Sequence, residues 1–227
     1  MRNEQLKDFL TQHVFPNVRM PAQYMGGELN IVCKPPESVQ GRVCLAFPDM
    51  YTIGMSHHGF QILYTLMNSR QGWACERVFA PWLDMEELLR RHNLPLYSLE
   101  TFTPLSDFDV IGFSLQYELS SPNILTILDL AGVPLRASER TVEHPWVVAG
   151  GPCAQNPEPM APFIDVFVTG DGEPSLPRIC DKWLELKQQS LGQGRAGGEE
   201  REQLLLQLAT EYPFCYVPRF YEPEYRQ

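Results

Sequence analysis

The chain has 227 residues, with 18 basic and 28 acidic side chains and a net charge of −10. That length supports one large domain whose core needs no covalent staples, and that charge argues against a general nucleic-acid binder, which needs a basic stripe to displace phosphate counterions. No apolar run is long enough to cross a bilayer, and the opening MRNEQLKDFL is not a signal peptide.

Residues 1–12 predict a short helix with Leu6, Phe9 and Leu10 on one face. Residues 13–40 carry Pro16, Pro21, Pro35 and Pro36 and a turn at Gly26-Gly27, so they read as an irregular wrapping arm. The core begins with Val43 to Phe47, continuously apolar and stopped by Pro48, as expected of a strand covered on both faces. A polar loop from Asp49 to His58 leads to a helix from Gly59 to Asn68, with Phe60, Leu63, Leu66 and Met67 inward. Glu76 to Phe79 predicts a second strand. Pro81-Trp82 opens a helix to His92 whose Met85, Leu88, Leu89 and His92 recur at helical spacing.

Leu96 to Leu99 reads as a short strand and Val110 to Leu115 as a strong one. The next helix has Ser121 as N-cap, Pro122 at the first helical position and Gly132 beyond its end. Trp146 to Ala149 and Asp165 to Thr169 are the remaining strands, the latter followed by a helix from Ser175 to Gln188. Residues 190–203 are rich in glycine and charge and read as a flexible linker or loop. Leu204 to Ala209 predicts one more helix, and the aromatic, proline-rich tail an extended segment. Strands alternating with helices predict an α/β fold with an open, mostly parallel, doubly wound sheet. The division expected is 1–40 arm, 41–189 domain, 190–203 linker and 204–227 extension.

The six cysteines are never closer than Cys33 and Cys44, so no local zinc or iron–sulfur motif is present. Cys33, Cys44 and Cys180 read as buried free thiols, which suits a reducing, cytoplasmic setting.

In an open α/β sheet, ligands bind outside the carboxyl ends of the strands. Four loops at that edge are rich in glycine or polar residues. The first holds Gly54, Met55, Ser56, His57 and Gly59 just before a helix, where glycine allows close approach and the helix start offers free N–H groups. Taken alone, an ordinary strand-to-helix loop with a serine cap accounts for it slightly better. His57 and His58 are adjacent and do not form a metal pair. They read as capping or solvated, or as the edge of a bound cofactor. The second loop holds Ser114, Gln116, Tyr117 and Glu118, either lining a crevice or packing and opening the next helix. The third is Gly150-Gly151-Pro152 and the fourth Gly170-Asp171-Gly172-Glu173. Turn chemistry and a favourable helix dipole account for the fourth equally well. The acidic Asp84 and Glu86 fit the first turn of their helix. No nucleophilic triad is present, and no catalytic residue is assigned.

GGPCAQNPEPMAPFIDVFVTGDGEPS and FPDMYTIGMSHHGFQILY, with MGGELN, ERVFAPW, DMEELL, SLET and GFSLQYEL, resemble the cobalamin-binding-like domain found before radical SAM cores. The likeness covers nearly the whole chain. It implies a flavodoxin-like, Rossmann-type fold followed by a radical SAM barrel, the partner in the same polypeptide. The 4Fe-4S cluster, held by a CxxxCxxC loop absent here, and S-adenosylmethionine are expected only in that barrel. Cobalamin is the implied small-molecule cofactor of this domain, although Met55-Ser56-His57-His58-Gly59 stands where DxHxxG would be. Three functions follow: positioning a corrinoid over the barrel, capping the barrel or recruiting a partner without a cofactor, or an independent small-molecule-binding domain. No membrane contact and no direct nucleic-acid binding are expected.

Overall fold

The computed structural model describes residues 3–222 and 224. The start of the predicted first helix and the end of the predicted extension, at 223 and 225–227, lie outside the described residues. Helix α1 (Asn3–Phe9) continues as a wider π-helical stretch to Val14, burying Leu6, Leu10 and Val14. The arm follows in short helical turns. Its Lys34 ammonium donates to the carbonyls of Asn68, Arg70 and Trp73 at 2.7–2.8 Å.

Strand β1 (Gly41–Phe47) leads through a single turn, α2 (Tyr51–Gly54), into α3 (His58–Asn68). Phe60 and Met67 of α3 are buried as expected and Leu63 packs partly buried against the same cluster, whereas Leu66 does not; Tyr64 joins the buried face, its hydroxyl accepting the Val32 N–H of the arm at 2.8 Å. Strand β2 (Trp73–Phe79) is longer than expected and wholly buried despite Glu76 and Arg77. Glu76 meets the Arg42 guanidinium at 2.6 Å and accepts from Ser98 and Thr101 at 2.6 and 2.7 Å. Arg77 donates to Glu100 at 2.7 Å through both its backbone N–H and Nε, and its Nη1 donates to Gln61 Oε1 at 3.1 Å. Burial pushes the Glu100 carboxyl up to about 7 against the pull of Arg77. Helix α4 (Leu83–Arg91) buries Met85, Leu88 and Leu89. His92 is its exposed C-cap, not part of the inward stripe.

The predicted strand at Leu96–Leu99 is not formed. Tyr97 makes one isolated bridge with Pro104, and Leu99 N–H binds the Arg77 carbonyl, so the segment covers the outer edge of β2. Strand β3 (Val110–Ser114) is followed by α5 (Ser121–Leu130), where Ser121 is the first helical residue and Ser120 the cap position, without a side-chain capping bond. Strands β4 (Trp146–Gly150) and β5 (Val166–Val168) follow, then α6 (Gly172–Gly192) and α7 (Gly198–Glu211). Helix α6 starts earlier than expected because Pro174 falls in its first turn, where a missing N–H costs nothing.

The expected linker at 190–203 is the end of α6, a short turn and the start of α7. Arg201 in it is fully buried, bonded to the carbonyls of Thr141, His144 and Pro145 and to Asp165. Asp165 to Thr169 is not the last strand, since β6 (Cys215–Tyr216) pairs antiparallel with β5. Cys44 and Cys180 are buried as expected, whereas Cys33 is exposed.

The sheet order is β2-β1-β3-β4-β5-β6, with every pair parallel except the last. Alternate strand residues go to opposite faces. Cys44, Ala46, Ile111 and Val147 pack with α1, α4 and α5, while Val43, Leu45, Val110 and Val148 pack with α3, α6 and α7. This is the doubly wound α/β arrangement expected from the sequence. The strand order reverses between β1 and β3, the place where ligand crevices open in such sheets.

Candidate functional site

A cleft of about 220 Å³ opens at the carboxyl edge, on the α3/α6 side of the reversal point. Its floor comes from Leu45 of β1, Gly112 of β3, Val148 of β4 and Val168 of β5, and Phe60, Leu63 and Leu176 wall it. At Gly112 the floor is closely packed, since a Cβ there would lie 3.2 Å from Leu45 Cδ2 and 3.7 Å from Val148 Cγ1. A lone glycine inside a strong strand marks such a close approach.

Ten of the residues singled out from the sequence line this one cleft: His57, Gly59, Ser114, Gln116, Gly150, Gly151, Gly170, Asp171, Gly172 and Glu173. The other six lie elsewhere. Gly54 is packed shut, since a Cβ there would sit 2.3 Å from the Phe79 ring. The Met55 sulfur contacts Gln61 and Arg77, and Ser56 donates to the Thr52 carbonyl. The Tyr117 hydroxyl donates to Asp49, tying the loops after β1 and β3 together outside the cleft. Glu118 starts an exposed helical turn, and Pro152 begins the one after β4. The cleft's apolar lining was not among the expected site residues. Of its members, only Gly112 left a trace in the sequence, as a glycine within a strand.

Three arrangements fix the polar groups. His57 Nδ1 accepts the Phe60 N–H at 3.2 Å, capping α3 and leaving the proton of the neutral ring on Nε2. Gln116 Nε2 donates to Ser114 Oγ at 2.8 Å, so its Oε1 is its remaining acceptor. Gly151 has φ 105° and ψ 179°, a conformation essentially limited to glycine. It brings the β4 loop against β3, where Leu115 N–H donates to the Gly150 carbonyl at 2.7 Å and Cys153 N–H to the Leu115 carbonyl at 3.2 Å. Asp171 and Glu173 are exposed at the start of α6, and Asp171 makes no side-chain capping bond.

A larger groove, about 720 Å³, lies at the opposite, amino edge among Arg136, Glu158, Glu202 and Arg219. Its charges are mixed in sign and partly engaged: Arg219 donates to the Ala137 carbonyl and Glu158 accepts from Tyr216. Size alone therefore does not make it the site. The smaller cleft has the apolar floor and convergent polar groups of a ligand crevice. Among the described residues, no group of three or more His, Cys, Asp or Glu is placed to hold a metal ion, and no helix is long and apolar enough to cross a membrane.

A family model described as "Radical SAM proteins, N-terminal" matches residues 59–218, more than half of the chain. An uncharacterised protein of Methanocaldococcus jannaschii is 34% identical over 84 residues, which are 37% of this chain and 17% of that protein. The chain thus matches well under two thirds of that relative's length. No solved structure matches.

Proposed function

Because this chain belongs to the family of N-terminal domains of radical SAM proteins, we propose that it caps a radical SAM core downstream in the same polypeptide, with its carboxyl edge turned towards that core. The supporting observation is where apolar surface stays exposed. Ile53, Trp82, Leu83, Tyr117 and Leu119 are exposed large apolar residues, and all follow the carboxyl ends of β1, β2 and β3. Leu83 is 71% and Leu119 85% exposed. Other exposed large apolar residues, Leu29 the most exposed of them, lie on the arm, on the helices and near the end of the chain, but these five share one edge, and such a group, with aromatic anchors, suits an interaction surface. In this reading the 4Fe-4S cluster and S-adenosylmethionine belong to the core, and this chain supplies the lid over it.

Replacing Leu83 and Leu119 together by glutamate in the full polypeptide tests the proposal. The chain's own stability should stay within about 0.5 kcal/mol per site, as for surface changes generally. Release of the domain from the core should raise the rate of limited proteolysis between them at least tenfold. An unchanged rate would overturn the reading.

A corrinoid held in the cleft is the second reading, favoured by its glycine-lined rim. The residues present do not fit a corrinoid ligated by a side chain. His57 Nδ1 is committed to the α3 cap and the Met55 sulfur to Gln61 and Arg77. The cleft's 220 Å³ falls below the ~300–1,000 Å³ of pockets that enclose drug-sized ligands. Hydroxocobalamin titrated into the chain should therefore leave its visible spectrum unchanged. A shift of the corrin bands, with protection against unfolding, would favour the corrinoid instead.

A further inference from the structure

We infer that the carboxyl-edge cleft selects an uncharged or cationic ring compound carrying hydroxyl or amino donors, a nucleoside without phosphate, and rejects the phosphorylated form. The inference deepens the reading of this edge as functional and rests on the cleft being a ligand crevice.

Two helices, α3 and α6, start at the cleft, and helix starts ordinarily attract phosphate. Here the charge balance goes the other way. Each helix end is worth about +0.5 of an elementary charge. Asp171 at the cap position and Glu173 in the first turn of α6 each bring a negative charge, and no lysine or arginine lines the cleft. The sum is about −1. Helix α3 has less to offer than a bare helix start, because its Phe60 N–H already donates to His57 Nδ1. A phosphate dianion would thus meet net repulsion from two exposed carboxylates, strongest at low ionic strength, where solvent ions screen it least.

The remaining groups suit a neutral ligand. The floor of Leu45, Gly112 and Val148 is apolar and suits the face of a ring. Gln116 Oε1 and the two carboxylates accept hydrogen bonds from hydroxyl or amino groups, as acidic residues at the edges of such sheets do from ribose. The His57 Nε2–H of the neutral ring offers a donor to a ring nitrogen or oxygen.

Adenosine and AMP are the probes, titrated into the isotope-labelled chain at low ionic strength and followed at the amides of Gly59, Gly112, Ser114, Gly150 and Gly170. Adenosine should shift these amides and bind at least tenfold more tightly than AMP. Asp171→Asn with Glu173→Gln, both exposed and outside the core, should narrow that ratio by raising AMP affinity. AMP binding as tightly as adenosine, or adenosine leaving the cleft amides unmoved, would overturn the inference. Neither outcome touches the capping proposal, which is decided separately by proteolysis of the Leu83/Leu119 variant.

Discussion

Replacing Asp165 by asparagine is expected to cost about 3–5 kcal/mol of folding stability, the range found when one partner of a buried ion pair is removed. Asp165 is 1% exposed, and three donors meet on its Oδ2: Arg140 Nη1 at 3.0 Å, Arg201 Nη2 at 2.8 Å and Val147 N–H at 2.9 Å. Both guanidiniums are buried too, at 1% and 0%. They also bind backbone carbonyls, but Asp165 is their only salt-bridge partner among the described residues. Asparagine could still accept hydrogen bonds and fits the space. The two positive charges would be left in the interior without a counter-charge. For a chain of this size, each kcal/mol moves the melting temperature by about 2–4 °C, so the drop should be about 6–20 °C.

The same residue carries a pH dependence. Burial alone would raise its carboxyl, but Arg201 and Arg140 pull it further the other way, so it lies below the ordinary aspartate value. Its folded value being the lower one, its stabilisation is fully present above the unfolded value. It is lost as pH falls through the folded one. Chemical denaturation from neutral pH into the acid range should show this loss in the parent chain, and the asparagine variant should lack that part of the slope. A variant within 1 kcal/mol of the parent at neutral pH would mean that the arginines are held by carbonyls alone.

Gly151→Ala should be the next most damaging change, at about 3 kcal/mol. Two causes act together. The backbone at φ 105° and ψ 179° lies where a side chain is strained, worth about 1–3 kcal/mol by itself. A Cβ would also lie 2.6 Å from the Leu115 carbonyl oxygen, a backbone atom that cannot swing aside. Relief requires the β3 and β4 loops to part, which breaks the Leu115–Gly150 and Cys153–Leu115 hydrogen bonds and moves Ser114 and Gln116 out of the cleft. Faster hydrogen exchange at the amides of Leu115 and Cys153 would report this. Unchanged exchange and stability would show that the cleft does not depend on this close approach.

The sheet was legible because its strands are continuous apolar runs such as Val43 to Phe47 and Trp146 to Ala149, ended by proline or glycine. The edge loops stood out for their glycines, and their convergence follows from parallel strands placing every carboxyl end on one side. What stayed hidden were charges turned inward. In GGEERE, Arg201 looks solvated, and only the fold brings it to Asp165, 36 positions away. The second strand, read as starting at Glu76, begins at Trp73, and nothing in the sequence showed that its Glu76 and Arg77 are buried against Arg42, Ser98 and Glu100. Tyr117 looked like a cleft residue because it follows β3 closely, yet its hydroxyl turns to Asp49 of another loop. Tertiary partners decide such cases, and periodicity carries no trace of them.

Hydrogen exchange mass spectrometry comparing this chain alone with the full polypeptide tests the capping proposal most directly. The account predicts added protection across residues 50–57, 82–84, 115–121 and 170–173, the four carboxyl-edge segments. Protection confined instead to 136–139, 198–202 and 218–221, around the amino-edge groove, with the carboxyl loops exchanging as before, would contradict it.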